Sequence, residues 1–319
     1  MLSVLVFVIA TAACGRSSSH PNAQRESVTS TTTTTSRRAA SVPATATSST
    51  RPSAGGHLCG AKRAAPQHYR SVIVYSFENR TWQGVGPQFA DMPYLHGLAT
   101  QCASFAQWTE TDTMQSSLAQ YVGQVTGARQ AGTVNDCSPS ATCRTTADNL
   151  FRQARRARLA AINYVEGART GCSATGNAAK HIPELYMWGA DDRAHCGEQV
   201  RPYTDLDLNA LPAFAWVTPT SCDDGHDCGN NVVDHWAAMN IQPVLDSDAY
   251  KSGTVAVFIW YDEDSPVPNL WIAPTAAPGT HVLAGAGYAG TLSAWQSMLG
   301  LPCLANACDS PNMRVVANA

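Results

Sequence analysis

The sequence SVIVYSF at residues 71–77 is almost entirely apolar and rich in β-branched residues. A short run of this kind is typical of a strand that is buried on both faces, as strands of a parallel sheet are. Glu78, Asn79 and Arg80 follow it directly. Ligands of open α/β sheets bind beyond the carboxyl ends of the strands, so this stretch indicates both a fold class and the edge where a site would lie.

Three further stretches have the same apolar character, and stretches that favour helices lie between them. The strand-like stretches are LAAINYV at 159–165, PAFAWVT at 212–218 and TVAVFIW at 254–260. The helix-like stretches are 89–101, 117–128, 146–158 and 231–246. Strands that alternate with helices predict an α/β fold in which helices sandwich a mostly parallel sheet.

Acidic residues follow three of the predicted strands. Glu78 follows the first, Asp262 and Glu263 follow the stretch that ends at residue 260, and a loop with Asp224 and His226 follows residue 218. Carboxylates that meet in one low-dielectric crevice repel each other, and a bound divalent cation is the simplest compensation. Solvated loop acids are the alternative, but only 14% of the residues are charged. We therefore expect a metal site.

Two serines precede the predicted helix at 117–128. A serine at a helix start is usually an N-cap, and this interpretation applies to Ser116 or Ser117. The N-terminus of a helix also receives a phosphate oxyanion well, because its N–H groups are free. A serine at that place beside a metal ion can attack phosphorus. The sequence therefore offers a candidate nucleophile at the same edge.

The composition excludes two classes of protein. The chain has 319 residues, 44% of them hydrophobic, and a formal net charge of -3. This charge provides no basic field for nucleic acid, so we expect no nucleic-acid partner. The only uninterrupted apolar run stands at the start of the sequence, which excludes a protein with several membrane spans.

The first 56 residues predict export. LSVLVFVIATAA at 2–13 fits the apolar core of a signal peptide, and Cys14 follows it as in a bacterial lipobox. We expect a signal peptide with a lipobox at 1–14, lipidation of Cys14 and attachment to the outer side of the cell membrane. An ordinary cleaved signal peptide and secretion are the alternative. Residues 15–56 are rich in Ser and Thr and predict a disordered tether before a folded domain at 57–319.

Eleven cysteines indicate an oxidising compartment. If Cys14 carries lipid, ten remain, which are Cys59, Cys102, Cys137, Cys143, Cys172, Cys196, Cys222, Cys228, Cys303 and Cys308. The close pairs 137/143, 222/228 and 303/308 could each close a small loop, and 59/102 with 172/196 would complete five bridges. The sequence alone leaves the connectivity open. A zinc–cysteine site is disfavoured because no CxxC pair with metal spacing occurs.

Five segments carry motifs in a fixed order. They are VIVYSFENRTW at 72–82, SLAQYVGQVTG at 117–127, KHIPELY at 180–186, LPAFAWVTPTSCDDGHDC at 211–228, and YKSGTVAVFIWYDED at 250–264 with NLWIAPTAAPG after it. These segments resemble motifs of the bacterial phosphoesterase family that contains acid phosphatases and non-specific phospholipases C. The family belongs to the alkaline-phosphatase-like superfamily. The resemblance spans about residues 70–303 and implies an alkaline-phosphatase-like core.

The resemblance also implies roles for individual residues. Ser117 matches the family's nucleophile, and His181 matches a histidine near the leaving group or a phosphate oxygen, with Lys180 adding positive charge. Asn79, with Glu78, would ligate the metal or hold the phosphate. The implied metal ligands are Glu78, Asn79, Ser117, Asp262, Glu263, Asp224 and His226. The implied catalytic residues are Ser117, His181 and Asn79.

The chain departs from the family pattern at several positions. Ala119 and Gln120 stand where the family has Pro-Asn after the nucleophile. The family has a histidine shortly before its last helix, where this chain has Tyr288 or a neighbour, and His281 is the nearest histidine. These departures indicate either one metal ion in place of two or a site that has lost activity.

The leading hypothesis is a metal-dependent hydrolase that acts on a small phosphate ester or a phospholipid head group. The short chain favours the acid-phosphatase branch. The alternative is a catalytically degenerate surface lipoprotein that binds a phosphorylated or glycan ligand. A glycosidase that uses Glu78 with Asp262 or Glu263 leaves Ser117 unexplained. The oxygen-rich ligands favour Mg, Ca or Mn, while His226 keeps Zn or Fe open.

Overall fold

The computed structural model describes residues 58–82, 91–109, 116–167, 171–172, 177–282 and 286–313. The predicted signal peptide, the lipidation at Cys14 and the predicted tether all concern residues outside these ranges. Within the ranges, no helix combines the length and the apolar character that crossing a membrane requires.

Strands in the described part of the chain form one large sheet and one small one. They are β1 (Ser71–Phe77), β2 (Ala103–Phe105), β3 (Trp108–Thr109), β4 (Ala161–Val165), β5 (Val200–Pro202), β6 (Phe214–Thr218), β7 (Val255–Tyr261), β8 (Leu270–Ile272), β9 (His281–Val282) and β10 (Ala286–Gly287). Eight of these described strands form the large sheet in the order β5-β4-β6-β1-β7-β8-β2-β9, and β3 pairs with β10.

The centre of the large sheet is parallel. Strands β5, β4, β6, β1 and β7 all run in one direction, while β8 is antiparallel to both β7 and β2. The four strands predicted from apolar runs are β4, β6, β1 and β7, which are neighbours in the parallel part of the sheet. Every residue of β1 and of β7 is buried, as a strand covered on both faces requires.

The helices in the described ranges include the four predicted ones. The helices are α1 (Pro93–Gln101), α2 (Ser117–Thr126), α3 (Leu150–Arg156), α4 (Asp192–Gln199), α5 (Asn230–Asp246), α6 (Asp248–Lys251) and α7 (Tyr288–Leu299). Short 3-10 helices occur at 131–133, 177–181, 183–186, 203–205 and 305–308. The predicted helix at 89–101 begins outside the described residues.

Helices cover both faces of the sheet. Tyr75 in β1 contacts Trp236 of α5 edge-on, with the ring centroids 6.1 Å apart. The next residue back, Val74, lies beside Trp216 of β6, and Trp216 contacts Trp295 of α7 at 5.8 Å. Since successive residues of a strand point to opposite faces, α5 and α7 lie on opposite sides. The predicted sandwich of helices around a mostly parallel sheet is confirmed.

Five disulfides join cysteines in the described part of the chain. They join Cys59 to Cys102, Cys137 to Cys143, Cys172 to Cys196, Cys222 to Cys228, and Cys303 to Cys308. These are the pairs that the spacing of the cysteines suggests. The bridge between Cys222 and Cys228 closes the loop that follows β6, and that loop contains Asp223, Asp224 and Asp227.

Candidate active site

Three adjacent parallel strands bring the candidate acids to one edge of the sheet. Glu78 follows β1, Asp224 lies in the loop after β6, and Asp262 follows β7. The Glu78 amide donates to the Asp224 carbonyl at 2.9 Å, and the Asp262 amide donates to the Phe77 carbonyl at 3.3 Å. The order β6-β1-β7 therefore places Glu78 between the other two loops.

Ser117 is the first residue of α2 and is buried. Its Oγ lies within hydrogen-bonding distance of two carboxylates, 3.0 Å from Glu78 Oε2 and 2.8 Å from Glu263 Oε1. The hydroxyl has one proton, so it donates to one of them at a time. The structure thus brings the candidate nucleophile against two of the candidate acids.

The N-cap position of α2 belongs to Ser116, whose side chain makes no capping bond. Its Oγ donates to Asp136 Oδ1 at 2.8 Å, and the Leu118 amide donates to the same oxygen at 3.0 Å. Asp136 therefore satisfies a free N–H group at the start of the helix. This arrangement leaves the Ser117 hydroxyl outside the capping interaction and directed at the acids.

A compact group of possible metal ligands lies beside Ser117. His181 Nε2 is 3.3 Å from Glu78 Oε2, and His181 Nδ1 is 3.2 Å from Asp224 Oδ2. All three side chains are buried, and one ligand atom from each lies within 4.8 Å of the others. Two carboxylates and an imidazole are a donor set that fits a divalent cation.

Burial makes several of these acids hard to ionise. Burial, with the charge of Glu78 beside it, raises the pKa of Asp262 far above its ordinary range. The pKa of Asp224 and that of Glu263 are raised for the same two reasons. Asp262 Oδ2 is buried and has no hydrogen-bond partner among the described residues. Crowded acids with an unsatisfied oxygen are what a cation would compensate.

Glu78 and His181 form a charged pair within this cluster. Burial alone would raise the pKa of Glu78, but the adjacent His181 lowers that pKa to about 2. Burial would lower the pKa of His181, but the charge of Glu78 raises it to about 9. Glu78 therefore holds its negative charge, and His181 carries a compensating proton that a metal ion would have to displace in order to bind the imidazole.

Tyr121 of α2 contacts both members of that pair. Its hydroxyl donates to Glu78 Oε1 at 2.6 Å, and its ring stacks on the ring of His181 at a centroid distance of 5.2 Å. The motifs alone imply no role for Tyr121, although it lies in the segment SLAQYVGQVTG that carries part of the family resemblance. One turn of helix separates Tyr121 from Ser117, so both side chains reach the same acid.

Lys180 and His226 lie on the accessible side of the cluster. Lys180 Nζ is 3.1 Å from Asp136 Oδ2 and 3.2 Å from His226 Nε2. His226 Nδ1 is 2.7 Å from Asp227 Oδ1, so both ring nitrogens of His226 have close partners. The compact group of possible ligands contains His181 and does not contain His226.

Asn79 and Tyr288 form hydrogen bonds to Asp262, whereas His281 bonds to Ser104. Asn79 has a positive φ of 51°, and this turn lets its backbone amide donate to Asp262 Oδ1 at 3.1 Å. The Tyr288 hydroxyl donates to the carbonyls of Tyr261, at 2.8 Å, and of Asp262. Tyr288 therefore supports the end of β7. His281 lies in β9 and contacts Ser104 Oγ at 2.6 Å.

Solved structures resemble this fold. A protein of the alkaline phosphatase superfamily from Vibrio parahaemolyticus matches with a TM-score of 0.51 and 13% identity over 76% of this chain and 68% of that chain. Ps i-CgsB matches with a TM-score of 0.52 and 9% identity over 79% and 76% of the two chains. Its complex with k-i-k-neocarrahexaose gives a TM-score of 0.50 at 9% identity over 78% and 76%.

The chain therefore has the α/β fold of the alkaline phosphatase superfamily. At identities between 9% and 13% this likeness concerns the fold alone. No protein-family model matches the sequence, and no curated protein matches it. The alkaline-phosphatase-like core expected from the motifs is confirmed as a fold.

Proposed function

We propose that the protein is an exported, metal-dependent hydrolase of phosphate esters and that Ser117 is its nucleophile. The observation that carries the proposal is the position of Ser117 Oγ, between Glu78 and Glu263 at the start of α2. A hydroxyl so placed has a proton acceptor at hand and lies beside a donor set that fits a cation.

Ser117 and Glu263 account for the proton transfer at the nucleophile of such a reaction. Ser117 Oγ forms a bond to phosphorus as its proton passes to Glu263, the bond from phosphorus to the leaving oxygen breaks, and the alkoxide takes a proton from solvent. Water then attacks phosphorus and loses a proton to solvent, the bond from phosphorus to Oγ breaks with release of phosphate, and Glu263 returns its proton to Oγ. A divalent cation held by Glu78, His181 and Asp224 would supply Lewis-acid stabilisation of the phosphoryl oxygens.

Lys180 is the cation that we assign to the substrate phosphate. Its side chain retains 13% of its surface exposed, so it is near solvent but fixed by Asp136 and His226. Burial would lower the pKa of Lys180, but the contact with Asp136 raises it above the ordinary value. Lys180 thus carries a positive charge beside an acidic cluster, where an anionic substrate needs one.

The proposed location is the outer side of the cell membrane or the secreted medium. Five disulfides in the described part of the chain support an oxidising compartment. Anchoring through a lipid on Cys14 is part of the same proposal. The proposed substrate is a small phosphate ester or a phospholipid head group, turned over by an enzyme of the acid-phosphatase type.

The test compares two neighbouring serine variants. Purified protein is assayed with p-nitrophenyl phosphate, bis-p-nitrophenyl phosphate and p-nitrophenyl sulfate, each with added Mg²⁺, Mn²⁺, Zn²⁺ or Ca²⁺. We expect turnover of a phosphate ester that Ser117→Ala abolishes. Ser116→Ala, which loses only the bond to Asp136, should retain most of it. Full activity in Ser117→Ala contradicts the serine mechanism, and turnover of the sulfate alone contradicts the substrate class.

A catalytically degenerate binding protein is the second candidate. The observation that favours it is the place of the family's histidine, where this chain has Tyr288 or a neighbour, because the Tyr288 hydroxyl is engaged by backbone carbonyls at the end of β7. Isothermal titration of the same protein with inorganic phosphate distinguishes the two. Phosphate binding together with the absence of turnover on every ester and metal favours the binding protein.

A further inference from the structure

Glu78 has one oxygen bound by the protein and one that faces the candidate metal group. Oε1 accepts the Tyr121 hydroxyl at 2.6 Å. Oε2 faces His181 Nε2 at 3.3 Å and Ser117 Oγ at 3.0 Å. The carboxylate is fully buried, so its position is set by these contacts and not by water. Glu78 thus presents a single oxygen to the cluster.

Asp224 and Asp262 each use only one carboxylate oxygen in a bond to the backbone. Asp224 Oδ1 accepts the His226 amide at 2.8 Å, while Oδ2 faces His181. Asp262 Oδ1 accepts the Asn79 amide at 3.1 Å, while Oδ2 has no hydrogen-bond partner among the described residues. Asp224 and Asp262 therefore each use one oxygen in a bond to the backbone and leave the other without a hydrogen bond among the described residues. Glu78 uses one oxygen for Tyr121 and directs the other at the cluster members Ser117 and His181.

Tyr121 holds its donor in a fixed place. The tyrosine is fully buried, and its ring stacks on His181 while it packs edge-on against Trp260 at 4.8 Å. Contacts on two sides leave the ring no second orientation that keeps its hydroxyl within reach of Glu78. Because the His181 ring is one of the possible ligands, Tyr121 orients two members of the metal group at once.

One available oxygen per carboxylate selects among cations. Calcium takes six to eight oxygen ligands and commonly binds a carboxylate through both oxygens. Manganese, iron and zinc accept fewer ligands, bind single carboxylate oxygens and favour an imidazole nitrogen. Magnesium shares the preference for single oxygens but has little affinity for imidazole. The donor set built around Glu78, Asp224 and His181 therefore matches the transition metals.

We infer that this site selects a transition-metal dication of the manganese, iron or zinc class over calcium, and that Tyr121 enforces the selection by occupying one oxygen of Glu78. The inference deepens the proposed function, since it names the cation of the same site. It concerns binding of the metal and not turnover of a substrate, so the two can fail separately. Tyr121 is a positioning residue in this scheme and contacts no substrate.

The test measures metal binding without substrate. The full chain is stripped with a chelator, and its thermal unfolding and titration calorimetry are followed with equal concentrations of Mn²⁺, Zn²⁺, Mg²⁺ and Ca²⁺. We expect Mn²⁺ or Zn²⁺ to bind at least tenfold more tightly than Ca²⁺. In Tyr121→Phe, where Glu78 regains its second oxygen, the ratio of the two dissociation constants should move toward calcium by about tenfold.

Tyr250→Phe is the matched control. The Tyr250 hydroxyl is buried and donates to the Leu58 carbonyl at 2.9 Å, so this variant also removes one buried hydroxyl, outside the metal group. It should keep the wild-type order of metals. Calcium that binds the wild type as tightly as manganese or zinc overturns the inference, as does the absence of binding by any dication. The ranking of metal affinities is measured on the wild type, so it tests the inference even if Tyr121→Phe does not fold.

An unchanged ratio in a folded Tyr121→Phe overturns the role of Tyr121. Failure of every phosphate ester to react, with the metal ranking as expected, contradicts the proposed function and supports the inference. If calcium binds more tightly than manganese and zinc while the protein hydrolyses a phosphate ester, the result supports the proposed function and contradicts the inference.

Discussion

The guanidinium group of Arg80 joins the chain after β1 to the disulfide loop after β6. Its Nη2 donates to the Cys228 carbonyl at 3.0 Å, and its Nη1 lies 3.2 Å from the Glu78 carbonyl and 2.9 Å from the Asn79 carbonyl. Gly225, in the same loop, has a positive φ of 102°, and a Cβ there would come within 3.1 Å of the guanidinium. Arg80 thus fixes the distance between two loops that carry candidate ligands.

Arg80→Ala should weaken both the fold and the site. Loss of a charged donor to three part-buried carbonyls costs about 1 to 3 kcal/mol of unfolding free energy. The stabilisation by added metal should fall as well, because Glu78 and Asp224 lose their fixed spacing. Denaturant unfolding with and without metal measures both effects. Arg156→Ala is the control, since that side chain is 61% exposed, and an equal effect of the two variants contradicts the role of Arg80.

Two small disulfide loops offer a matched pair of variants. Cys222 and Cys228 are 6 positions apart in the site, and Cys303 and Cys308 are 5 apart beyond α7. Replacing either pair with serine should cost ~2 kcal/mol, because loops of similar length lose similar entropy. Only the 222/228 variant should lose metal binding and hydrolysis. Comparable losses of activity in both variants, measured below their unfolding temperatures, would contradict this prediction.

Lys180→Met should raise the KM for a phosphate ester about tenfold with a smaller effect on kcat. The reason is that Lys180 contributes charge to binding of an anion, while Ser117 and the acids remain in place. Lys180→Arg keeps the positive charge, so its KM should rise less than that of Lys180→Met. The wild-type KM should rise with salt. Steady-state kinetics over a range of salt concentrations checks this. The exposed Lys251→Met serves as the control, and a fall confined to kcat contradicts the assignment.

Because the pKa of Glu184 is raised, stability should depend on pH, and Glu184 is not one of the possible metal ligands. Burial raises the pKa of this carboxyl to about 8, although Asn163 Nδ2 donates to its Oε2 at 3.1 Å. Between the ordinary value of 4.5 and about 8 the unfolded chain releases this proton and the folded chain keeps it. The contribution of Glu184 to the free energy of unfolding is therefore largest below pH 4.5, and it is lost as the pH rises to about 8.

Glu184→Gln should remove that loss, because a neutral amide has no proton to lose. We expect the unfolding free energy of the wild type to drop by a few kcal/mol between pH 5 and pH 8, at roughly 1.4 kcal/mol per unit of pKa shift. The variant should fall less over the same range, by the part that Glu184 contributes, while the acids of the site with raised pKa values contribute equally to both proteins. Urea unfolding at the two values of pH measures this. The exposed Glu198→Gln should behave as the wild type, and parallel curves for Glu184→Gln refute the assignment.

The central part of the fold could be predicted because buried strands require apolar residues, which are visible in the sequence. A strand covered on both faces, such as β1, must be apolar at every position, and the prediction for 71–77 has the bounds of the observed strand. Strands β2, β8 and β9 have two or three residues, which is too short for any periodicity to appear. Their positions depend on tertiary pairing at the edge of the sheet.

The acids of the site could be predicted for a similar reason. Glu78, Asp224 and Asp262 each come soon after a buried parallel strand, and topology alone brings such ends together. The roles of Tyr121 and Asp136 could not be predicted. A tyrosine in an apolar helix and an aspartate in an irregular segment have no distinguishing pattern, and only the packed structure brings them to Glu78 and to the start of α2.

The ten cysteines that the structure describes pair strictly in the order in which they occur, and no bridge encloses or crosses another. A chain that emerges amino end first can therefore oxidise each pair before the next cysteine arrives. Every nearest-neighbour encounter during synthesis is then a native one, so reshuffling by an isomerase becomes dispensable. Expression in an oxidising host that lacks such an isomerase should still yield the native protein.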